Sequence, residues 1–485
     1  MDTLSKTIKK LPEHDYQQLL AEVSGNRKNK PFIVLETTRK RDIDDSEMME
    51  MLQVNPSAYY TLKSRLNSKI AAVLSKKVEN PIQGLMDEVS RVPAHLFGGN
   101  RDFSVRALRE LEKQLIEYDL NAELIVVYKT LAQLNLHTED YDFYNSKYQR
   151  HVAYSLAVSK AEGIFFRFIK RLGTYQLSAE STHLDEIIAM KRELSNICEL
   201  YDSHRLYVLY NIVRIYYHCN VSTDREGLKS REEEIEFTLD KLSDIFNRYP
   251  MDTFYQNMKW VVDLLRFEYY VRTSNLVKAD HYIQKIHQGL PSMTGKHIMN
   301  FFVVQFLRAK LAKYRIDGNL NHLLYYADKL DKSFDVETEE AYNYVSVIRY
   351  LATVRFYQGD YSGAARKLNE LRNCMSLKQY LHTDVDVKVF QALQYCIVGE
   401  DGLCQQILSS LKRQIREQDD AFAPARHAIK IIKTALKPAD YRKKVKRIAE
   451  LWDEFTTVPG NVFGVLADLR IEEAVIRKMS NPIKS

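Results

Sequence analysis

Apolar residues recur at spacings of three and four along most of the chain, and this pattern predicts amphipathic helices. The clearest stretch runs from Ala341 to Ser376. Its first half predicts a helix with one apolar face, formed by Ile348, Leu351, Ala352 and Phe356. A turn is predicted at Gln358-Gly359-Asp360-Tyr361. A second helix follows, with an apolar face formed by Ala364, Ala365, Leu368 and Leu371. The stretch is therefore predicted to be a helical hairpin.

The hairpin pattern returns along the chain at steps of about forty residues. Moving the unit forward by 40 residues places Gly399 on Gly359. Moving it backward by 41 residues places Gly318 on the same turn, and a further 44 residues places Ser274 there. The content of turn-forming residues is low, with 16 Gly and 11 Pro in 485 residues, and this also favours long helices. We therefore expect repeated hairpins from about residue 101 to about residue 415.

The unit resembles the tetratricopeptide repeat (TPR), a helical hairpin with small and large residues at fixed positions. Leu351-Ala352 fill the Leu-Gly positions of that pattern, and Ala364 and Leu368 fill its Ala and Phe positions. The resemblance implies an all-α fold, a TPR-like α-solenoid of helical hairpins whose first helices line a concave face. The steps of 40 to 44 residues exceed the 34 of the family, and unrelated helix pairs packed in a bundle are the alternative.

Residues 1–78 form an N-terminal block of different character. Asp44, Asp45 or Ser46 can cap a short helix, Gln53-Val54-Asn55 predicts a turn, and Pro56 opens a longer helix. This order resembles a helix-turn-helix, in which a second helix contacts nucleic acid. The resemblance implies outward side chains at Ser57, Tyr60, Thr61, Lys63, Ser64 and Arg65. The alternative is a hairpin that caps the array or binds protein. The preceding stretch around Phe32 to Leu35 fits either a helix or a strand.

Two further segments complete the predicted organisation. Residues 79–100 contain the densest cluster of Pro and Gly and are predicted to be a linker. Residues 416–485 lose the forty-residue step and are predicted to form a C-terminal helical cap. From Ala423 to Ser485 there are 13 Lys and Arg against 7 acidic residues. That excess of six equals the net charge of the whole chain, +6, so the cap is predicted to be basic.

The motifs of common enzymes are missing from the sequence. There is no H-E-x-x-H, no G-x-S-x-G and no G-x-G-x-x-G after a predicted strand. The five cysteines form no C-x-x-C pair, which argues against a zinc ribbon and fits a reducing compartment. No apolar run of about eighteen residues occurs. We therefore expect a cytoplasmic protein with no enzymatic activity, no catalytic residues, no cofactor, no metal and no membrane span.

The expected function is the binding of a protein or peptide partner, as a scaffold or adaptor, on the concave face of the array. Tyr350, Arg355 and Tyr357 occupy outer positions of the clearest first helix and are the predicted partner-binding residues. The alternative function is a transcriptional regulator. In it the N-terminal block or the basic C-terminal helices contact nucleic acid, and the repeats sense a partner or peptide.

Overall fold

The computed structural model describes most of the chain, and the described residues are helical with no strand. They comprise residues 29–41, 43–76, 82–98, 100–221, 225–250, 252–334, 336–416, 422–458, 464, 466 and 469–480, with isolated positions 8, 16, 19, 20 and 23. The all-α prediction is confirmed for these residues. The stretch Phe32 to Leu35, which fitted a helix or a strand, lies within a helix.

The N-terminal block contains three well-described helices. They are α1 (Lys30–Lys40), α2 (Asp45–Leu52) and α3 (Pro56–Lys76). Asp44 caps α2, since its carboxylate accepts a hydrogen bond from the Glu47 amide at 2.8 Å. Gln53 ends α2 in the left-handed conformation, with φ of +50°, at the position where a helix-turn-helix usually has glycine. The block has its own hydrophobic core, which includes Val34, Leu35, Met48, Leu52, Tyr59 and Leu66.

The linker predicted at residues 79–100 is largely helical. It contains α4 (Ile82–Arg91) and a 3-10 helix (Val92–Phe97). These pack on α5 (Arg101–Glu117) and α6 (Asn121–Leu134) around a common core. Residues 82–97 are thus helical and packed on the following helices, and a linker at residues 79–100 stays a prediction. Pro93 causes no disruption because it lies in the first turn of the 3-10 helix, where its missing N–H is not needed.

The central part of the chain begins with a helix of 39 residues, α7 (Asp140–Ser178). Five helices follow it: α8 (Ser181–Leu200), α9 (His204–Asn220), α10 (Arg225–Ser230), α11 (Glu232–Arg248) and α12 (Thr253–Arg272). The next five are α13 (Leu276–Met293), α14 (Asn300–Asp317), α15 (Leu320–Leu324), α16 (Ala327–Ser333) and α17 (Ala341–Tyr357). The last six are α18 (Tyr361–Cys374), α19 (Leu381–Val398), α20 (Asp401–Gln414), α21 (Ala423–Leu436), α22 (Tyr441–Thr456) and α23 (Glu473–Ser480).

The four turns that coincide when the hairpin unit is shifted along the sequence share one backbone conformation. Ser274, Gly318, Gly359 and Gly399 have φ of +62°, +69°, +83° and +89°. Each follows the end of a first helix, and a second helix begins two residues later. A left-handed residue at this position is the common way to end a helix and reverse the chain. The positions of these four turns were therefore predicted correctly from the sequence.

First and second helices differ in how deeply they are buried. In α12, α14 and α19, 13 residues each are buried, so these first helices are covered on nearly all sides. Only five residues are buried in the second helix α18 and four in α20. First helices also pack on one another in sequence order, α9 on α12, α12 on α14 and α14 on α17. The first helices thus form the inside of this region and the second helices its outside.

The long helix α7 contacts parts of the chain that are distant in sequence. Its C-terminal part packs on α17 and α19. The Thr383 hydroxyl donates to the Leu177 carbonyl at 2.8 Å, and the Gln305 amide donates to Gln176 Oε1 at 3.1 Å. At Gly173 a Cβ atom would lie 2.8 Å from the Tyr342 ring, so only glycine allows this approach. The C-terminal end of α7 therefore covers part of the first helices α14, α17 and α19.

Candidate binding site

Tyr350, a predicted partner-binding residue, lies in the core. It is 1% exposed, and its hydroxyl donates to the Leu323 carbonyl at 2.5 Å. Burial raises the pKa of the phenol above its ordinary value. The expectation that Tyr350 faces outward is wrong, because α15 and Lys310 of α14 lie against this side of α17.

The other two predicted residues are half-buried and make contacts within the chain. Arg355 reaches Asp331 of α16 with its Nη2 atom at 2.9 Å from the carboxylate. The Tyr357 hydroxyl accepts a hydrogen bond from the Arg470 amide at 2.8 Å, and its ring centroid is 4.4 Å from that of Tyr314. The three residues thus join α17 to α14, α15, α16 and the stretch around Arg470.

The contact between Tyr357 and Arg470 is one of several made by the end of the chain. We call the described residues 464, 466 and 469–480 the C-terminal segment. The Leu466 amide lies 3.4 Å from Asp386 Oδ1, and the Arg470 guanidinium packs directly on Gly318. Leu466 and Leu469 are buried. The C-terminal segment therefore crosses the ends of α14, α17 and α19.

A cavity of about 490 Å³ lies beside this crossing. Residues of six helices line it, namely α9, α12, α14, α19, α21 and α22, together with Gly464, Leu466 and Leu469 of the C-terminal segment. First helices form one side, and the C-terminal helices form the other. This volume lies within the range of about 300–1,000 Å³ that is typical of ligand pockets.

Three arginines line the cavity, Arg272 from α12 and both Arg308 and Arg315 from α14. Arg308 is held in place by a hydrogen bond from its Nη1 atom to Gln305 Oε1 at 2.9 Å. Gln305 is 1% exposed, and its amide nitrogen in turn donates to the Tyr342 hydroxyl at 2.9 Å. A chain of buried polar contacts therefore fixes one of the three guanidinium groups.

Two acidic side chains also line the cavity. Glu268 is 8% exposed and accepts a hydrogen bond from the Asn220 amide at 3.0 Å. Burial raises the pKa of Glu268 to about 7, although the Asn220 hydrogen bond and the nearby Arg308 and Arg272 act in the opposite direction. Asp386 is 3.4 Å from Arg349 Nη2 and 3.4 Å from the Leu466 amide. Among the described residues, the cavity wall thus carries three arginines and two carboxylates.

Sequence reasoning missed this cavity because its residues come from segments spread over about 250 positions of the chain, from Cys219 to Leu469. One local signal was available. Arg308 and Arg315 are seven residues apart in a predicted helix, which places them two turns apart on the same face.

The helix-turn-helix candidates lie mostly at the surface, as the resemblance implied. Their positions are on α3, and five of them are exposed: Ser57, Tyr60, Thr61, Ser64 and Arg65. Lys63 is the exception, since its side chain is only 12% exposed and its ammonium group is 2.9 Å from Asp45. Its charge is thus directed at α2, and the expectation that Lys63 faces outward is wrong.

The C-terminal helices carry the predicted basic surface. Seven cations of α21, α22 and their connection are exposed: Lys430, Lys433, Lys437, Arg442, Lys443, Lys446 and Arg447. Two of these lie beside acidic side chains, with Arg447 2.9 Å from Glu450 and Lys430 3.8 Å from Glu454. Lys484 lies outside the described residues.

No family model, no curated protein and no solved structure matches this chain. Across the part of the chain that the structure describes, no three His, Cys, Asp or Glu side chains are grouped so that they would hold a metal ion. None of the described helices combines the length and the apolar character that crossing a membrane requires.

Proposed function

We propose that the chain is a non-enzymatic binding protein, a TPR-like α-solenoid that receives a protein or peptide partner at the cavity of about 490 Å³. The observation that carries this proposal is the position of the cavity, between the first helices of successive hairpins and the C-terminal helices. In a stacked array the inner face of the first helices is the usual binding surface. Here α7 and the C-terminal segment cover part of the first helices, and the cavity lies beside the C-terminal segment.

The proposal also fits the composition of the cavity wall. Apolar side chains such as Val271, Ile316 and Leu469 alternate with Arg272 and Arg315. A concavity whose wall combines apolar and polar groups suits a binding site, because the apolar part supplies affinity and the polar groups fix the orientation of the ligand.

The test is affinity capture with the full-length chain and an Ala312→Phe variant. Ala312 lines the cavity and is half-buried, so a phenyl ring fills part of the volume. Partners that bind in the cavity are expected to be retained by the wild type and lost from Ala312→Phe. Ala107→Phe, at a half-buried position of α5, is the matched control and should retain them. Retention by both variants would refute the cavity as the binding site.

A second candidate function, nucleic-acid binding, is favoured by the five exposed polar side chains of α3. Contacts with phosphates make affinity fall as salt rises, in proportion to the number of contacts. Arg65→Ala is expected to weaken binding and reduce the salt slope by about one. Lys63→Ala should do less, because Lys63 is held by Asp45. The control is Lys129→Ala, at an exposed position of α6. Equal affinities for all four proteins would reject α3 as the nucleic-acid interface.

A further inference from the structure

The hairpin of α21 and α22 carries a concentrated positive charge. From Lys430 to Arg447 there are eight Lys and Arg and one acidic residue, Asp440. The net charge of this stretch is therefore +7, against +6 for the whole chain. Seven of the eight cations are exposed, and we call them the basic hairpin surface: Lys430, Lys433, Lys437, Arg442, Lys443, Lys446 and Arg447.

The end of α21 and the start of α22 lie side by side. The ammonium group of Lys444 donates to the Ala435 carbonyl at 2.9 Å. Asp440, the one carboxylate of the stretch, caps α22 by accepting from the Lys443 amide at 3.1 Å. The cations at the end of α21 and those at the start of α22 therefore meet at the connection between the two helices.

The first turn of α22 is an unusual place for positive charge. It holds Arg442 and Lys443 and no acidic residue. The positive end of the helix dipole favours anions at this position, so two cations there are unfavourable until an anion binds. The charge of α22 thus adds to that of its own side chains.

Most cations of the basic hairpin surface have no partner in the described part of the chain. Arg447 is 2.9 Å from Glu450, and Lys430 is 3.8 Å from Glu454. The side chains of the other five make no such contact: Lys433, Lys437, Arg442, Lys443 and Lys446. A ligand with a row of negative charges is electrostatically complementary to such a surface, and the attraction weakens as salt rises.

The distribution of apolar side chains favours a nucleic acid over a membrane as that ligand. The apolar faces of both helices, with Ile432 of α21 and Ile448 of α22, are buried in the protein core. A helix that lies on a membrane needs a free apolar face. Within residues 422–458 the one exposed large apolar side chain is Tyr441, at 46%. An aromatic ring among cations suits an unpaired base, which stacks on the ring while the cations contact phosphates.

We infer that the basic hairpin surface binds a single-stranded nucleic acid, with Arg442, Lys443 and Lys446 as phosphate contacts and Tyr441 as the ring on which one base stacks. This inference is independent of partner binding in the cavity. It also differs from the second candidate function, because it places the contact on α21 and α22 and not on α3. Phosphates are common to RNA and DNA, so the experiment compares the two.

The experiment is fluorescence anisotropy with the full-length protein at several salt concentrations. The probes are labelled RNA and DNA single strands of mixed sequence and the DNA duplex of the same sequence. Single strands are expected to bind more weakly to Arg442→Gln/Lys443→Gln/Lys446→Gln, by about tenfold or more at low salt. The salt slope should fall by about two, because each phosphate contact in a single strand contributes about 0.7.

A matched control removes the same charge elsewhere. Arg106→Gln/Lys129→Gln/Lys332→Gln changes one arginine and two lysines at exposed positions of three other helices, and it should bind as the wild type does. Tyr441→Ala should weaken single strands about tenfold and the duplex much less, because paired bases are not free to stack. Tyr441→Phe keeps the ring and should restore the affinity for single strands.

Binding of either single strand that is lost from the α22 triple variant and kept by the control supports the inference, and the tighter strand identifies RNA or DNA as the ligand. Equal losses in the two triple variants would mean that only the overall charge matters, and the inference would be wrong. It is also wrong if neither strand binds, including the case in which vesicles of phosphatidylcholine and phosphatidylserine bind instead.

Two further variants separate this inference from the proposed functions. If Arg65→Ala weakens binding and the α22 triple variant does not, the nucleic acid lies on α3 and the inference is rejected. Ala312→Phe, which fills the cavity, should bind single strands as the wild type does, so the cavity and the basic hairpin surface are tested separately. Circular dichroism and thermal unfolding of each variant confirm that it is folded.

Discussion

The hairpins around Gly359 and Gly318 have the same turn and different second helices. After Gly359, α18 runs without interruption for 14 residues. After Gly318, the second helix is split into α15 and α16 at Tyr325 and Tyr326, and Tyr326 is left-handed with φ of +68°. Neither glycine nor proline occurs between Leu320 and Ser333, so no helix-breaking residue causes the split. The reason must lie in packing.

The difference follows from the size of one buried position, five residues after the turn. This position is Ala279, Ala364 and Cys404 in the three hairpins with a continuous second helix, and each of these is fully buried. The thiol of Cys404 is 3.3 Å from the Ala392 carbonyl, which shows how closely the second helix approaches the first. In the split hairpin the position is Leu323. Its first-helix counterpart, equivalent to Ala352 and Ala392, is Leu311. The Ser274 hairpin has Phe267 at that position, so of the four hairpins only the split one has a large residue at both positions.

The split also provides hydrogen-bond acceptors that a continuous helix would use internally. The Tyr325 carbonyl accepts from the ammonium group of Lys310 at 2.8 Å, and the Leu323 carbonyl accepts from the Tyr350 hydroxyl at 2.5 Å. Lys310 is only 2% exposed, so an unmade hydrogen bond there would be costly. A large residue at the crossing of the first and second helices thus redirects the second helix. Side chains of neighbouring first helices then bind the carbonyl groups that the split leaves free.

The largest expected effect comes from Leu323→Ala. This change leaves a cavity in the split hairpin, because α15 keeps the distance from α14 that the leucine side chain requires. We expect a loss of about 2–5 kcal/mol in the free energy of unfolding, measured by chemical denaturation. Leu324→Ala is the control, since Leu324 is half-buried and should lose less. A stability equal to that of the wild type would show that Leu323 does not fill the space between α15 and α14, and the packing explanation would be wrong.

The reverse change, Ala364→Leu, tests the intact hairpin. It introduces a large residue at the close approach of α17 and α18, and we expect a cost of about 1–3 kcal/mol. Partner binding should weaken as the hairpin shifts. Ser362→Leu, at an exposed position of the same helix, should cost much less. Thermal unfolding of both variants checks the prediction, which is contradicted if the two melting temperatures are equal.

Lys310→Met removes the donor that contacts the Tyr325 carbonyl in the split hairpin. The pH dependence of stability tests the role of this buried lysine. Burial lowers the pKa of Lys310 from 10.5 to about 7. Between these values the unfolded chain binds the proton and the folded chain does not, so this group makes stability rise with pH from about 7 to about 10.5. The slope it contributes is at most about 1.4 kcal/mol per pH unit.

In the Lys310→Met variant that contribution should disappear. Relative to the wild type, the variant is therefore expected to be most favoured at pH 7 and below, and less favoured at pH 9. Denaturation at pH 6, 7, 8 and 9 measures the difference, with Lys332→Met at an exposed position of α16 as the control. A difference between Lys310→Met and wild type that is constant with pH would mean that Lys310 does not titrate in this range.

Local signals in the sequence were enough for the turns and for much of the N-terminal block. The left-handed turns at Gly318, Gly359 and Gly399 follow from the recurring pattern, and the Asp44 cap follows from side-chain chemistry. The split after Leu324 was not predicted, although the large residues Leu311 and Leu323 are visible in the sequence once the register is fixed. Their effect depends on knowing which positions cross.

The candidate site was the least predictable part, because it depends on contacts between distant segments. Helical periodicity indicates which side of α17 is apolar, but it does not show that α15 and Lys310 of α14 lie against Tyr350. Tyr350 was therefore placed at a surface that does not exist. The cavity arises where α12, α14 and the C-terminal helices meet, and no local pattern specifies that meeting.

The smallest expected effect comes from Arg355→Ala, which removes an ion pair between the intact hairpin and the split one. Burial alone would raise the pKa of Asp331, but hydrogen bonds from Lys367 and Arg355 outweigh it and hold the pKa below its ordinary value. This stabilisation is present above the pKa of the unfolded carboxyl group and is lost as the pH falls through the folded value. Lys367 remains 2.8 Å from Asp331 in the variant, so the carboxylate keeps one partner.

Because Arg355 is partly exposed, the expected loss is below about 1 kcal/mol at pH 7, and it should vanish in acid. Thermal unfolding at pH 7 and pH 3 measures it, with Arg366→Ala at an exposed position of α18 as the control. A loss of several kcal/mol would mean that Arg355 holds the two hairpins together, and the register that pairs Gly318 with Gly359 would then need revision. A small loss in stability together with weaker partner capture would instead place Arg355 at the partner surface, because a residue that serves only as a structural link has no reason to affect binding.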